Sequence, residues 1–259
     1  MRLFPALVAL LLAATAGAAK APAAASAPAK QAAPGAEVPP AWHAAMQSQM
    51  QSGQQIVQTL TGDLDGDGKP EWIAIGEPTT RRDPHVSVAI FEPAKGKTPP
   101  KLRFSQWLEG QSLRRAGAAI RRVAPLGNVL VLVASNAART GDSQFVAQIY
   151  GWNGKTFRPM VPEVIDFRSQ GGFSIEDVDP STKGDEIVAW TYLPGPDEQL
   201  FDLHRYAYKV YRWDGIRFVG PDHESRTPGK LANPEAAGTF VGAKKGDLRR
   251  QIPRIAEVP

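Results

Sequence analysis

Apolar positions along the chain follow two periods. Trp42, Met46 and Met50 recur every four residues in a stretch with no proline, and Gly53 follows them. That spacing places all three on one face of a helix over 41–52 that ends at the glycine. Such a stripe of Trp and Met predicts a packing face that caps a sheet. From residue 55 the pattern changes to short runs of β-branched and aromatic residues, punctuated by Gly, Pro, Asn and Asp. The predicted strands are 55–61, 71–76, 86–92 and 102–107, then 117–123, 129–134, 145–152 and 156–160, then 172–177, 186–191, 206–213 and 216–220.

These runs repeat. Tyr150-Gly151-Trp152-Asn153-Gly154-Lys155-Thr156-Phe157 and Tyr211-Arg212-Trp213-Asp214-Gly215-Ile216-Arg217-Phe218 share one pattern 61 residues apart. Their Asn-Gly and Asp-Gly pairs favour type I′ turns, whose twist suits a two-residue hairpin. Glu71-Trp72-Ile73-Ala74 corresponds to Glu186-Ile187-Val188-Ala189, with Val129-Leu130-Val131-Leu132 midway. The chain therefore divides into repeats near 54–110, 111–165 and 166–221, each of four strands, the pattern of a propeller blade. The expected fold is all-β: three four-stranded antiparallel blade-like repeats and one short N-terminal helix. A closed propeller takes four to eight blades. Three repeats imply an open or three-fold arrangement, or an edge covered by the helix, the tail or a second copy.

Chemistry concentrates in one stretch, Asp63-Leu64-Asp65-Gly66-Asp67-Gly68-Lys69-Pro70-Glu71. A calcium loop supplies oxygens from carboxylates at its first, third and fifth positions and a carbonyl at the seventh. Here those are Asp63, Asp65, Asp67 and the carbonyl of Lys69, with Glu71 as the last carboxylate. Gly66 and Gly68 permit the positive φ that curls the acids inward. An EF-hand needs a Glu at position twelve, which is Ala74, and β-prone residues follow rather than a helix. The competing reading is an acidic Asp-Gly hairpin turn without a metal. Four carboxylates in nine residues repel one another, and a cation relieves that repulsion better than water does.

The run from Gly62 to Ile73 resembles the FG-GAP or VCBS calcium-loop repeat of integrin α-subunit propellers and many bacterial secreted proteins. The resemblance implies blades of antiparallel strands with a calcium ion, Ca2+, in a β-hairpin loop; the family spans many functions. The motif is whole only in the first repeat. Pro125-Leu126-Gly127-Asn128 occupies the turn of the second and lacks the acids. The third offers a longer variant, Asp177, Asp179, Ser181, Lys183 and Glu186, expected to hold an ion weakly or to have kept only its turn.

Residues 1–18 read as a secretory signal: Arg2, an apolar core through Leu12, then Ala16-Gly17-Ala18. The run is too short to span a membrane, and no second one of that length follows. The mature chain is expected to be exported, periplasmic or extracellular, with no transmembrane segment. Removing the signal lowers the formal charge of +4 by one, a balance that does not imply nucleic acid. Cysteine is absent, which excludes disulfides, thiol chemistry and a lipidated cysteine. Residues 19–40, mostly Ala and Pro, read as a semi-extended linker, and 222–259 as an irregular tail to which Thr239-Phe240-Val241 adds at most a strand.

No nucleophile elbow, zinc helix or phosphate loop occurs. His43, His85, His204 and His223 are scattered. Asp202 and His204 share a strand face with Tyr206 and Tyr208, expected to be a hydrogen-bonded surface pair. Arg114, Arg115, Arg121 and Arg122 form a dense basic cluster, expected to be a solvated face. The expected function is a secreted, calcium-stabilised, non-catalytic binding or scaffold module of the bacterial cell envelope, whose partner is an envelope protein or polysaccharide. The alternative is an envelope hydrolase using a carboxylate and the bound ion.

Overall fold

In a computed structural model, the structure describes residues 38–80, 84–93, 96, 98–108, 110, 112–136, 143–169, 171–177, 184–200, 202–226 and 230. They fall within the unit Pro34–Pro259. The predicted signal, most of the linker, and the tail beyond 230 lie outside the described residues. Helix α1 (Pro40–Gln47) is followed by β1 (Gln54–Gly62), β2 (Glu71–Pro78), β3 (Val86–Glu92) and β4 (Lys101–Leu108), a four-stranded sheet in chain order. β5 (Leu113–Val123), β6 (Gly127–Asn136), β7 (Gln144–Trp152), β8 (Phe157–Pro159) and β9 (Ile165–Arg168) form the second sheet. β10 (Gly172–Glu176), β11 (Glu186–Leu193), β12 (Arg205–Trp213) and β13 (Phe218–Arg226) form the third. Every pairing is antiparallel. The fold is the expected one: mostly β, one short helix, three blade-like sheets and no closed barrel.

The middle strands are buried on both faces, as the runs Val86–Phe91 and Val129–Ala134 show. The sheets therefore stack. Ile73, Ile75, Val88 and Ile90 of the first sheet meet Leu130, Leu132, Val146 and Tyr150 of the second. Val131, Val133, Ala147 and Ile149 meet Phe173, Ile187 and Ala189 of the third. On the outer face of the first sheet, Met46 and Met50 join Val38, Ile56, Ala74, Ala89 and Phe91, with Trp42 against them. The Trp42, Met46 and Met50 stripe has its expected capping role, with Met50 in the turn just after α1.

Four details differ from the sequence reading. α1 ends at Gln47 rather than near 52 because Gln47 bonds the edge of β1: its Nε2 donates to Gln54 O at 2.9 Å, and Ile56 N donates to its Oε1 at 2.9 Å. The fourth strand of the second sheet is split. β8 pairs with residues 150–152 of β7 and β9 with 144–147, and Pro162 in the intervening segment has no N–H to donate to a ladder. The two Trp-Asn/Asp-Gly hairpins close over four residues, not two. Trp152 faces Phe157 and Trp213 faces Phe218, while Asn153 Oδ1 and Asp214 Oδ1 each accept two backbone N–H groups of their own loop. Finally, β13 runs to Arg226, past the boundary drawn at 221.

Polar side chains join the first two sheets where no ladder can. Gln58 of β1 accepts from Ala118 N at 2.7 Å and donates to Ala118 O at 2.9 Å, and Glu77 accepts from Ala116 N at 2.8 Å. Gly62 is needed here for close approach, since a Cβ would collide with the side chain of Ile120. Among the described residues no helix is long and apolar enough to cross a membrane. Gln58→Ala leaves both backbone groups of the buried Ala118 without these partners, a cost of about 2 kcal/mol. The melting temperature is expected to fall by roughly 4–8 °C, whereas Gln55→Ala, at an exposed position of the same strand, should leave it unchanged. Differential scanning calorimetry checks both.

Candidate metal centre

The loop between β1 and β2 is folded by its own carboxylates. Asp63 accepts from Gly66 N at 2.8 Å and Gly68 N at 3.1 Å, Asp65 from Asp67 N at 3.1 Å, and Asp67 from Lys69 N at 2.7 Å. These are successive Asx turns, and Gly66 and Gly68 take the expected positive φ of 77° and 82°. Leu64 is buried in the core between the first two sheets and its N–H donates to Glu71 Oε2 at 2.8 Å, closing the loop on the first residue of β2. Asn128, at the start of β6, donates to Asp63 O at 2.8 Å and fixes the loop to the second sheet.

One carboxylate oxygen from each of Asp63, Asp65 and Glu71 lies within 4.8 Å of the others. Oxygens that ligate one cation at 2.3–2.6 Å lie no farther apart than about 5 Å, so this triad can hold a metal ion. Asp67 is not in the triad, and the predicted Lys69 ligand is a backbone carbonyl rather than a side chain. Asp67, half exposed, turns its Oδ2 to the Lys69 ammonium at 3.3 Å, and the Lys69 side chain points into solvent.

An arginine that the sequence reading did not single out meets the triad. Arg103 of β4 donates from one NH group to Asp65 Oδ2 at 2.7 Å and Glu71 Oε1 at 3.1 Å. Its guanidinium carbon lies 4.9 Å from the ring centre of Trp152 and 5.1 Å from that of Phe157, both in the second sheet. Burial pushes the Glu71 carboxyl above the ordinary range; Asp65 and Asp63 add to this, and the Leu64 N–H and Arg103 oppose it. Asp67 is held low, chiefly by the Lys69 N–H. Beside the loop opens a cavity of about 500 Å³ lined by Asp65, Asp67, Lys69, Pro70, Glu71, Glu92, Pro93 and Arg103.

In the third repeat, Asp179, Ser181 and Lys183 lie outside the described residues. Glu186 is buried at the start of β11, facing buried Glu176 across the ladder, and Asp177 follows the end of β10. The neighbouring Asp185 exchanges bonds with the turn of the second repeat: its Oδ2 accepts from Ala124 N at 2.7 Å, and its N–H donates to Ala124 O at 2.9 Å. Of the basic cluster, Arg115 is exposed and 3.5 Å from Glu77.

His204 is buried, and its partner is not Asp202. Its Nδ1 lies 2.8 Å from Glu198 Oε2 and its Nε2 3.1 Å from Leu200 O. Asp202 instead accepts from Gln199 N at 2.6 Å. Glu198 also takes Gly195 N at 3.0 Å and Lys230 Nζ at 2.5 Å. Nothing in the periodicity of Pro194–Leu203 marks Glu198, because an irregular loop has none. His85 stacks on Trp107 at 4.8 Å, and His43 is exposed on α1.

No family model, curated protein or solved structure matches this chain, so function is read from its own residues.

Lys230, His204 and the Gly195 N–H hold Glu198 down at about 2. A depressed carboxyl stabilises the fold above its unfolded value, near 4.3, and loses that contribution as pH falls toward 2. Glu198→Gln should therefore flatten the acid limb of stability between about pH 4.5 and 2 while changing its slope little from pH 5 to 6. Urea melts across this range measure it.

Proposed function

We propose that this chain is an exported, calcium-stabilised binding or scaffold module of the bacterial cell envelope, with the ion in a structural and non-catalytic role. The observation that carries this reading is the preformed triad of Asp63, Asp65 and Glu71, whose carboxylates are already positioned by backbone N–H bonds. The resemblance of Gly62–Ile73 to the FG-GAP or VCBS loop supports the same ion. Calcium is preferred to magnesium because a loop of many oxygens suits the larger ion and does not impose a tight octahedron. Asp67 and the Lys69 carbonyl complete the proposed ligand set after a small shift of the loop. Exported modules of this kind bind at about 0.1–1 mM.

Arg103 supports a structural role. It spans Asp65, Glu71 and the aromatic rings of the second sheet, so the centre sits at a junction between sheets. An arriving cation competes with the guanidinium for carboxylate oxygens, and Arg103 keeps its ring contacts. The hydrolase reading is favoured by the cavity beside the loop, where carboxylates and a cation converge. It requires an open coordination position and a base. Asp65 and Glu71 are instead engaged by Arg103, which favours the module. The partner, an envelope protein or polysaccharide, is sought by capture from envelope extract with and without calcium.

Melting curves in calcium, magnesium or chelator test the ion. At a hundredfold excess over the dissociation constant a native-state ligand adds roughly 2.7 kcal/mol, or about 5–10 °C for a domain of this size. The wild-type chain should show that rise with calcium and Asp65→Ala should not. An equal response in both, or none in the wild type, removes calcium from the reading. Arg103→Gln should melt lower in chelator yet respond more strongly to calcium, having lost the competitor. Protons compete with the ion at Glu71, whose carboxyl is raised by burial, so calcium affinity should fall as pH drops from 7 to 5; isothermal titration at several pH values measures that loss.

A further inference from the structure

The first two sheets meet through apolar faces, and two positions break that pattern at one place. β4 presents Phe104, Gln106 and Leu108 to the interface, paired with Ile90, Val88 and Val86 of β3. β7 presents Val146, Gln148 and Tyr150, paired with Ala134, Leu132 and Leu130 of β6. Both glutamines line one cavity of about 50 Å³ between the sheets, whose apolar walls include Leu108, Pro159, Pro162 and Val164. Gln148 is 5 % exposed. Its Oε1 accepts from Ile149 N at 2.9 Å, and among the described residues its NH2 group has no acceptor and the Gln106 amide no side-chain hydrogen bond. Gln47, Gln49 and Gln58 behave differently, since both ends of each amide engage a backbone. A buried amide donor without a partner destabilises a fold, and an apolar residue would suit this interface better.

We propose that this cavity receives the acetamido group of an N-acetylated amino sugar, the repeating unit of an envelope polysaccharide; the inference rests on the chain being an envelope-binding module. Size selects the group. A water needs about 10–15 Å³ of such space, so the cavity takes roughly four heavy atoms, as many as an acetamido group has. The chemistry agrees with the size. The ligand's carbonyl oxygen accepts from the Gln148 NH2 group, its N–H donates to Gln106 Oε1, and its methyl meets the apolar walls. Pro159 and Pro162 come from the end of β8 and the segment between β8 and β9, so the break in the fourth strand forms part of the receptor. An acetylated lysine carries the same group on a four-carbon stem, which needs a long apolar tube, and a cavity this small has none. A sugar ring instead stays at the mouth.

Isothermal titration of the full chain is the primary test. The N-acetylglucosamine trisaccharide should bind saturably and at least tenfold more tightly than the matching glucose trisaccharide, and saturation-transfer NMR should place an acetyl methyl nearest the protein. Gln106→Leu with Gln148→Leu should weaken binding at least tenfold while melting no lower than the wild type, because amides kept for a ligand stabilise nothing in the free fold. A melting temperature well below the wild-type value shows instead that the amides hold the sheets together through water, and refutes the assignment. So does equal affinity for the two trisaccharides, no saturable binding, or tighter binding of Nε-acetyl-lysine, which gives the cavity to a protein partner. Asp65→Ala should keep the sugar affinity, and its loss there moves the sugar to the acidic loop and overturns the cavity. No sugar binding beside an intact calcium response in the melting curves removes this inference and leaves the ion; sugar binding without a calcium response does the reverse.

Discussion

A sheet whose strands are apolar on both sides is stable only when both faces are covered, and that requirement sets the architecture. The inner strands of the first two sheets are largely buried runs of Val, Ile, Leu and Ala with little alternation, and those of the third bury Trp190, Tyr206 and Tyr208 beside Val188 and Val210. Stacking satisfies four of the six faces at once. The outermost pair must be closed by something other than a sheet, and at one end Met46 of the amphipathic α1 and Met50 of the turn that follows it do this. A helix of only eight residues would be marginal alone. It persists because its packing face is required by the sheet beneath it.

Stacked sheets pose a second problem, since their facing strands carry backbone groups that no ladder reaches. Glutamine solves it repeatedly. Gln47 reaches the edge of β1, Gln49 exchanges bonds with Pro100 O and Leu102 N beside β4, and Gln58 does the same with Ala118 of β5. An amide presents one donor and one acceptor side by side, the same pair that a strand backbone presents. Each of these side chains stands in for a missing neighbour strand.

How much of this was legible follows from how local each signal is. Strand runs and the paired Trp-Asn/Asp-Gly motifs are local, and all twelve predicted strands occur. β9 was missed because Ile165–Arg168 is short and follows a proline-containing break, so it carries no independent pattern. The acidic loop declared itself through spacing, but Asp67 lies outside the triad, its carboxylate held by the N–H and ammonium of Lys69. Arg103 and Glu198 had no signal at all. Arg103 meets a partner 38 residues away that only the folded sheet brings to it, and Glu198 meets His204 six residues away across an irregular loop with no period to mark it.

Strand order within each sheet matches chain order, so nearly every pairing joins segments separated by a single turn. The entropic cost of closing such loops grows only slowly with their length. Each meander can thus form while the rest of the chain is still absent, as in synthesis from the N-terminus. The acidic loop closes with the first hairpin, yet Arg103 and the rings of Trp152 and Phe157 arrive only later. For that interval the carboxylates of Asp63, Asp65 and Glu71 stand without their internal cation, and the nascent hairpin depends most on its surroundings for a counter-charge.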